Sequence, residues 1–283
     1  MNRWLVALLS VCIFFNTAKT PAQDGKLERL REEVNKGPTD SHPSKSRDDC
    51  TYDDEDMGGS LIWFVAAIPF TGPHRLLDDN FHNDCAFLKY PYADHRPGSM
   101  LIVPQCQPLS EVFPDGASPR LQPWSFQLAL EDSNDFSGLN RANGRLLVDT
   151  CTRFGLQTSW SYLNEQLCGC HDSLLLGEMN LVFRFAQSER MQMRTGLGAR
   201  VLADAHDSTW GFNFLYGADL FPVKPVVLSG ELEAGSLGSA GVFHARATMG
   251  LLYKRYEIYA GYDFLLIGSV GLQGPVLGFR LWF

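Results

Sequence analysis

The chain ends on a run in which apolar and mixed side chains alternate, Val276-Leu277-Gly278-Phe279-Arg280-Leu281-Trp282-Phe283. In an extended strand, one face of this run carries Leu277, Phe279, Leu281 and Phe283. The end of a soluble domain frays in water, so it seldom carries so apolar a strand. In a membrane barrel, lipid covers one face and the neighbouring strands satisfy the backbone. The run therefore predicts the closing strand of a membrane β-barrel.

The same period-two alternation extends back to Trp124. It marks nine further segments, at residues 124–131, 145–150, 154–162, 178–185, 191–201, 212–220, 226–233, 243–251 and 256–264. With the closing strand they predict an all-β fold over residues 121–283, an antiparallel up-and-down transmembrane barrel of about ten strands. Eight strands is the alternative, if the segments around Cys151 form one bent strand. The connections are predicted to alternate between long and short, as in outer-membrane barrels.

A soluble β-sandwich or lipocalin-like barrel is the main alternative fold, because it too shows water one polar face. The apolar face favours a membrane barrel, since it is large and rich in aromatic residues on every segment. The closing run also resembles the C-terminal signature of bacterial outer-membrane β-barrels, a terminal Phe preceded by apolar residues at every second position.

Three internal segments are similar to a group of uncharacterised barrel proteins of bacteria with two membranes. They are Arg153–Leu156, Asn180–Gln187 and Thr195–Gly198. The resemblance implies an outer-membrane barrel embedded in lipid, with a C-terminal strand that the barrel assembly machinery recognises. It implies no activity.

The opposite face of the strands carries charged residues of both signs, with glycines among them. We interpret them as a lumen network that fills a narrow barrel with ion pairs: Glu131, Arg145, Asp149, Glu178, Arg184, Arg194, Arg200, Asp219, Glu231, Glu233, His244, Arg246, Glu257, Asp263 and Arg280. A filled lumen predicts a structural or anchoring role in the cell envelope. A narrow porin or small-solute channel is the alternative, and a surface-facing membrane hydrolase is the third reading.

A hydrolase would need a convergent set of acids and bases at the rim. The candidates are Asp204, His206, Asp207 and Asp263, but short loops rich in Asp and His are more often solvated turns. We therefore predict no catalytic residues, and the sequence points to no cofactor or small-molecule ligand. The net charge of −8 and the pI near 5.3 argue against a nucleic-acid binder.

The residues before the barrel divide into three parts. Residues 1–22 read as a signal peptide cleaved near Ala22, because a basic start precedes a short apolar core. Residues 23–58 read as a flexible acidic linker that includes an amphipathic helix over residues 26–36, with Leu27, Leu30 and Val34 on one face. Residues 59–120 read as an irregular cysteine-containing periplasmic segment. Within it, apolar residues 59–70 could dock under the barrel mouth, lie in the membrane interface or form a small core.

Six cysteines remain after cleavage, and an even number in an exported chain suggests disulfides. We expect two bridges among Cys50, Cys85, Cys106 and Cys151, which would lie on the periplasmic side. Cys168 and Cys170 share an outer loop and are predicted to form a tight bridge or to stay as thiols. With His171 they could instead form a three-ligand metal site, but no further ligand cluster is visible, so no metal is predicted.

Overall fold

The computed structural model describes residues 25–36, 69–77, 79, 85–88, 100–102, 121–135, 138–167, 170–188, 190–204 and 207–283. The predicted signal peptide lies outside these residues. The elements before the barrel are α1 (Lys26–Asn35), α2 (residues 69–76), β1 (Cys85–Leu88), β2 (Met100–Ile102) and β3 (Leu121–Gln122). Neither described helix is long and apolar enough to cross a membrane.

Ten long antiparallel strands follow and close on themselves: β4 (Trp124–Asn134), β5 (Leu139–Thr150), β6 (Phe154–Leu167), β7 (Cys170–Gln187), β8 (Met191–Ala203), β9 (Ser208–Val223), β10 (Val226–Leu237), β11 (Ala240–Tyr253), β12 (Tyr256–Ile267) and β13 (Val270–Trp282). Each strand pairs with its neighbours in sequence, and β13 pairs with β4. Phe126 and Phe283 exchange both backbone hydrogen bonds at the seam, at 2.9 and 3.1 Å. The predicted all-β barrel of ten strands is confirmed.

The turns are short at both ends of the barrel, so the predicted alternation of long and short connections is wrong. Every connection between consecutive barrel strands has two to four residues. The strands extend further than expected because their alternation continues into polar stretches such as residues 139–144 and 170–177. Of the polar residues there, Arg141 and Asn143 face the interior and Asp172 binds α1, and all three belong to the sheet.

The outer face of the barrel is apolar and exposed. At each end a band of aromatic side chains surrounds the barrel, so that two rings of aromatic residues are formed. At the end where β4 begins and β13 ends, called here the end that carries the termini of the barrel, the exposed or half-exposed aromatics are Trp124, Phe126, Phe154, Tyr253, Tyr256, Phe279 and Phe283. Toward the opposite end they are Trp160, Tyr162, Trp210, Phe212 and Phe243. Leucine and methionine side chains lie between the two rings, among them Leu181, Leu197 and Met249. This is the outer surface of a barrel built for a bilayer, where aromatic side chains mark both interfaces.

The segment predicted to be irregular contains two regular pieces. α2 lies within it, and β1 pairs antiparallel with both β2 and β3 to form a small sheet. Since β3 ends two residues before β4 begins, this sheet is joined to the barrel at the end that carries the termini.

Helix α1 lies at the other end of the barrel and covers the interior there. Its apolar face, formed by Leu27, Leu30 and Val34, is buried against strand ends that also bury Leu163, Leu237, Ile267 and their neighbours. The helix has the apolar face predicted from the sequence, and it lies at the end of the barrel opposite to the small sheet of β1, β2 and β3. A ten-residue helix is marginal in water alone, so this apolar contact keeps α1 folded.

Candidate functional site: the filled lumen

All fifteen charged residues assigned to the lumen from the sequence lie inside the barrel, and their side chains are buried or nearly so. Their strands place them there through simple alternation, with the apolar neighbours on the outside. They are arranged in connected groups along the barrel axis, and each group joins strands that are not adjacent.

The group nearest α1 centres on Arg200 of β8, whose side chain is fully buried. Its guanidinium donates to Glu178 Oε1 at 2.7 Å and also to Glu233 of β10. One cation thus bridges a carboxylate of β7 and a carboxylate of β10, the two strands that flank the β8–β9 pair. A guanidinium suits this position because its planar fork serves two carboxylates at once.

His244 extends this group toward β12. Its Nδ1 lies 3.3 Å from Glu233 Oε2, and its Nε2 lies 2.7 Å from Asp263 Oδ1. Asp263 also accepts a hydrogen bond from Arg141 of β5. The imidazole ring of His244 therefore links two carboxylates, as expected for a lumen histidine paired with acids.

Two further groups fill the middle of the lumen. Arg246 forms a bidentate pair with Glu131, which also accepts a hydrogen bond from the Tyr259 hydroxyl at 2.7 Å. Gly278 faces the Tyr259 ring, and a side chain there would overlap it. In the second group, Glu231 lies 2.8 Å from Arg145 Nη1 and 3.6 Å from Arg194 Nη2.

The lumen closes with a mixed layer at the end that carries the termini. Trp282 Nε1 donates to Glu257 Oε2 at 2.8 Å, and Arg280 lies above the Tyr259 ring and 3.4 Å from the same carboxylate. Beside it, Phe221, Val227, Leu252 and Trp282 pack as a buried apolar cluster. Charged and apolar side chains therefore lie in the lumen at several levels between its two apolar ends.

The charges in the described lumen nearly cancel. The acids are Glu131, Asp149, Glu178, Asp219, Glu231, Glu233, Glu257 and Asp263, which makes eight. The arginines are Arg141, Arg145, Arg184, Arg194, Arg200, Arg246 and Arg280, which makes seven, and His244 lies among them. Balanced pairs offset the cost of removing each charge from water, which a narrow interior imposes.

One cluster has donor atoms close enough to hold a metal ion. Glu178, Glu233 and His244 each offer a ligand atom, and these atoms lie within 4.8 Å of one another. The Arg200 guanidinium already lies between the two carboxylates and supplies the positive charge that an ion would bring. The arrangement fits a buried ion-pair network better than a metal centre.

Polar contacts hold α1 over the mouth of the lumen. Its N-cap, Gly25, offers no side chain, and the buried Glu165 carboxylate accepts hydrogen bonds from the backbone N–H groups of Lys26 and Leu27, both at 3.0 Å. A carboxylate there also complements the positive end of the helix dipole. At the other end, the Ser239 N–H and hydroxyl donate to the Val34 carbonyl.

Arg31 joins α1 to the start of β7 and to the β8–β9 turn. It donates two hydrogen bonds of 2.6 Å to Asp172, and its Nε lies 2.6 Å from Asp204 Oδ2. Asp172, and then Asp204, raise the pKa of the guanidinium above its usual range. At the C-terminal end of the helix, hydrogen bonds from Lys36 and Ser269 lower the pKa of the Glu33 carboxyl. The mouth is thus closed by a helix whose ionic contacts persist at neutral pH.

The segment after α2 is bound at the opposite end by one buried carboxylate. Asp79 accepts two hydrogen bonds of 2.7 Å from the Arg153 guanidinium and one of 3.0 Å from the Gln187 N–H. Arg153 lies in the β5–β6 turn with a φ of 70°, and both side chains are almost wholly buried. This pair, which sequence analysis missed, fastens residues preceding the barrel to its rim.

The described rim residues that were considered for a hydrolase lie in two places. Asp204 pairs with Arg31, Asp207 is exposed in the β8–β9 turn, and Asp263 lies in the lumen with His244. His206 lies outside the described residues. The structure thus brings Asp204 and Asp207 together in the β8–β9 turn and places Asp263 apart from them.

The structure leaves the disulfide pairing as a prediction. Cys50, Cys106 and Cys168 lie outside the described residues, while β1 begins at Cys85 and β7 at Cys170. Cys151 lies in the β5–β6 turn, where its N–H donates to the Pro123 carbonyl at 2.7 Å. The turn is at the end that carries the termini, the side on which the sequence placed it.

Several members of the lumen network were not among the residues predicted from the sequence. Arg141 and Asn143 belong to β5, but the predicted strand began only at Arg145. Gln157 donates to Glu231 at 2.9 Å, and Tyr259 donates to Glu131. Alternation along the strand could have identified all four residues, because each of them lies on the lumen face of its strand. They were missed because Gln157 and Tyr259 are uncharged, and because Arg141 and Asn143 lie in a stretch that resembles a loop.

The barrel has an apolar outer belt with aromatic residues at both ends, and its interior is filled with ion pairs. This combination identifies the class of barrel. Its architecture is that of a bacterial outer-membrane β-barrel.

No family model and no curated protein matches the chain. Among solved structures, a chain described as KdgM porin is similar, with a TM-score of 0.33 and 12% identity over 56% of this chain and 99% of that chain. CdiB from Acinetobacter baumannii has a TM-score of 0.29 and 12% identity over 53% of this chain and 40% of that chain. These two likenesses concern the fold alone.

Proposed function

We propose that this protein is a closed outer-membrane barrel that anchors its own N-terminal region in the cell envelope. The observation that supports this role is the continuous filling of the lumen, from α1 through the ion-paired groups to the cluster around Phe221 and Trp282. A ten-stranded barrel is narrow enough for its side chains to occupy the interior. Such a barrel offers no aqueous path, but it provides a stable platform.

The anchoring part of the proposal rests on contacts at both ends of the barrel. α1 is bound at one mouth, and α2 and Asp79 are bound at the opposite rim through Phe70 and the Asp79–Arg153 pair. In this proposal the signal peptide of residues 1–22 directs export, and the barrel assembly machinery reads the closing strand. Disulfides between the N-terminal cysteines and Cys151 would add covalent links.

Conductance in planar bilayers tests the closed lumen against a porin. We expect the full-length mature protein to insert and to show no steady channel steps, because charged and apolar side chains block the lumen at several levels. A known porin reconstituted in the same bilayers serves as the positive control. Heat-modifiable gel mobility of the same sample confirms that the barrel is folded. Steady open steps from the folded protein would favour a narrow porin and end the closed-lumen proposal.

Substituting Asp79 tests the anchoring of the N-terminal region. In Asp79→Ala, the Arg153 guanidinium loses its carboxylate in a buried position, which costs about 1–3 kcal/mol of docking free energy. We expect faster trypsin cleavage after Arg75 while the heat-modifiable mobility of the barrel is unchanged. Asp207→Ala, which removes an exposed carboxylate from the β8–β9 turn, is the matched control. Equal cleavage rates in both variants would show that Asp79 does not hold this segment.

A further inference from the structure

α2 packs on the outside of the barrel, in the face that the bilayer covers elsewhere. The Phe70 ring meets those of Phe185, Tyr216 and Phe214 edge-on, with centroid distances of 5.4, 6.0 and 6.5 Å. The Tyr216 hydroxyl donates to the Pro69 carbonyl at 2.8 Å. Since Phe214 and Tyr216 point away from the lumen, the helix lies against the lipid-facing surface.

The exposure of neighbouring residues shows how closely the helix covers this surface. The outward-facing side chains of Leu181 and Leu197 are 61% and 58% exposed, whereas Phe185 and Met193, further along the same two strands, are buried. Phe70 and Leu77 pack against these two buried side chains. α2 therefore replaces lipid over one patch near the β7–β8 turn, and its own outer side continues the belt.

The outer side of α2 has the composition of a membrane interface. Leu76 is 86% exposed, more than any other large apolar side chain among the described residues, and the adjacent Arg75 is exposed as well. Asp79, three residues further on, is bound at the rim of the barrel. An apolar side chain beside an arginine suits the boundary between acyl chains and phosphates, because the arginine can reach the headgroups.

We infer that α2 is an interfacial helix whose outer side binds glycerophospholipid, with Leu76 among the acyl chains and Arg75 at the phosphates of the leaflet nearest the start of β4 and the end of β13. The occupant is the lipid leaflet because the exposed side of α2 is continuous with the barrel surface that lipid already covers. The inference depends on the barrel lying in a bilayer, as the proposed function also requires.

Fluorescence quenching in proteoliposomes tests this inference with the full mature chain. The probe lipid is phosphatidylcholine brominated in its acyl chains, and Leu76→Trp adds one tryptophan at the tested position. We expect the added emission to fall by at least about half, since interfacial helices bury their apolar side at the headgroup–acyl boundary. Glu28→Trp, on the exposed face of α1, is the control and should lose little of its added emission.

The native tryptophans separate the two ways in which the inference can fail. Trp124, Trp160 and Trp210 are exposed on the outer face, so brominated lipid should quench the parent protein if the barrel is embedded. A quenched parent with unquenched added emission from Leu76→Trp would overturn the interfacial helix alone. An unquenched parent that keeps its folded gel mobility would overturn the membrane barrel, and the interfacial helix with it.

Discussion

Replacing Arg200 by methionine is expected to lower the free energy of unfolding of the barrel by about 3–5 kcal/mol. Methionine keeps a long side chain in the space but removes the cation that joins Glu178 to Glu233. Both carboxylates would then lie in the lumen without the guanidinium, and they would repel each other. An uncompensated buried charge costs far more than a lost surface pair, whose usual worth is under about 1 kcal/mol.

The measurement is urea unfolding in lipid vesicles followed by tryptophan fluorescence, with gel mobility as a second readout. Arg190→Met provides the control, because it removes an arginine from an exposed turn between β7 and β8. We expect that variant to unfold within about 0.5 kcal/mol of the parent. If Arg200→Met were as stable as Arg190→Met, the Arg200 guanidinium would not stabilise the Glu178 and Glu233 carboxylates in the lumen.

A triple variant separates the cost of unpaired charge from the loss of packing. Adding Glu178→Gln and Glu233→Gln to Arg200→Met removes the two carboxylates together with their cation. Because a buried ion pair often contributes little relative to neutral groups of the same shape, we expect the triple variant to recover most of the lost stability. Failure to recover would mean that the guanidinium acts mainly through its shape and hydrogen bonds.

The sequence contains the strand order and the sorting of side chains, because both follow from local alternation. A residue two positions along a strand lies on the same face whatever the rest of the chain does. This is why the positions of Glu131, Arg246 and Asp263 could be assigned without knowledge of their partners. Their pairing could not be assigned, since it depends on strand stagger across the lumen, as for Arg141 with Asp263.

The contacts of the N-terminal region show the limit of such reasoning. The spacing of Leu27, Leu30 and Val34 predicts an apolar helix face, but nothing in that spacing states which end of the barrel covers it. The deciding groups are distant in sequence and ordinary in type: Glu165, which caps α1, and Ser239, which binds its last turn. The Asp79–Arg153 pair could not be predicted from the sequence either. It joins an acid that follows α2 to an arginine in the distant β5–β6 turn.

Substituting Leu30 by aspartate is expected to release α1 while the barrel stays folded. Leu30 is fully buried in the apolar cluster, so the variant loses a contact worth about 2–5 kcal/mol and places a charge in apolar surroundings. The released helix would unfold, because ten residues are too few for a stable helix in water. Trypsin cleavage after Arg29 and Arg31 should therefore accelerate, whereas Glu32→Asp, on the exposed face of the same helix, should be cleaved at the parent rate.

Recording Leu30→Asp in planar bilayers shows whether α1 alone closes a pore or only covers a lumen that is already closed. With α1 released, the Arg200, Arg246 and Arg194 groups still span the lumen, and the layer around Trp282 still closes its far end. We therefore expect Leu30→Asp to remain silent even though its helix is cleaved. If channel steps appeared once α1 was released, the helix would be the gate of a pore, and the ion pairs beneath it would line an open path.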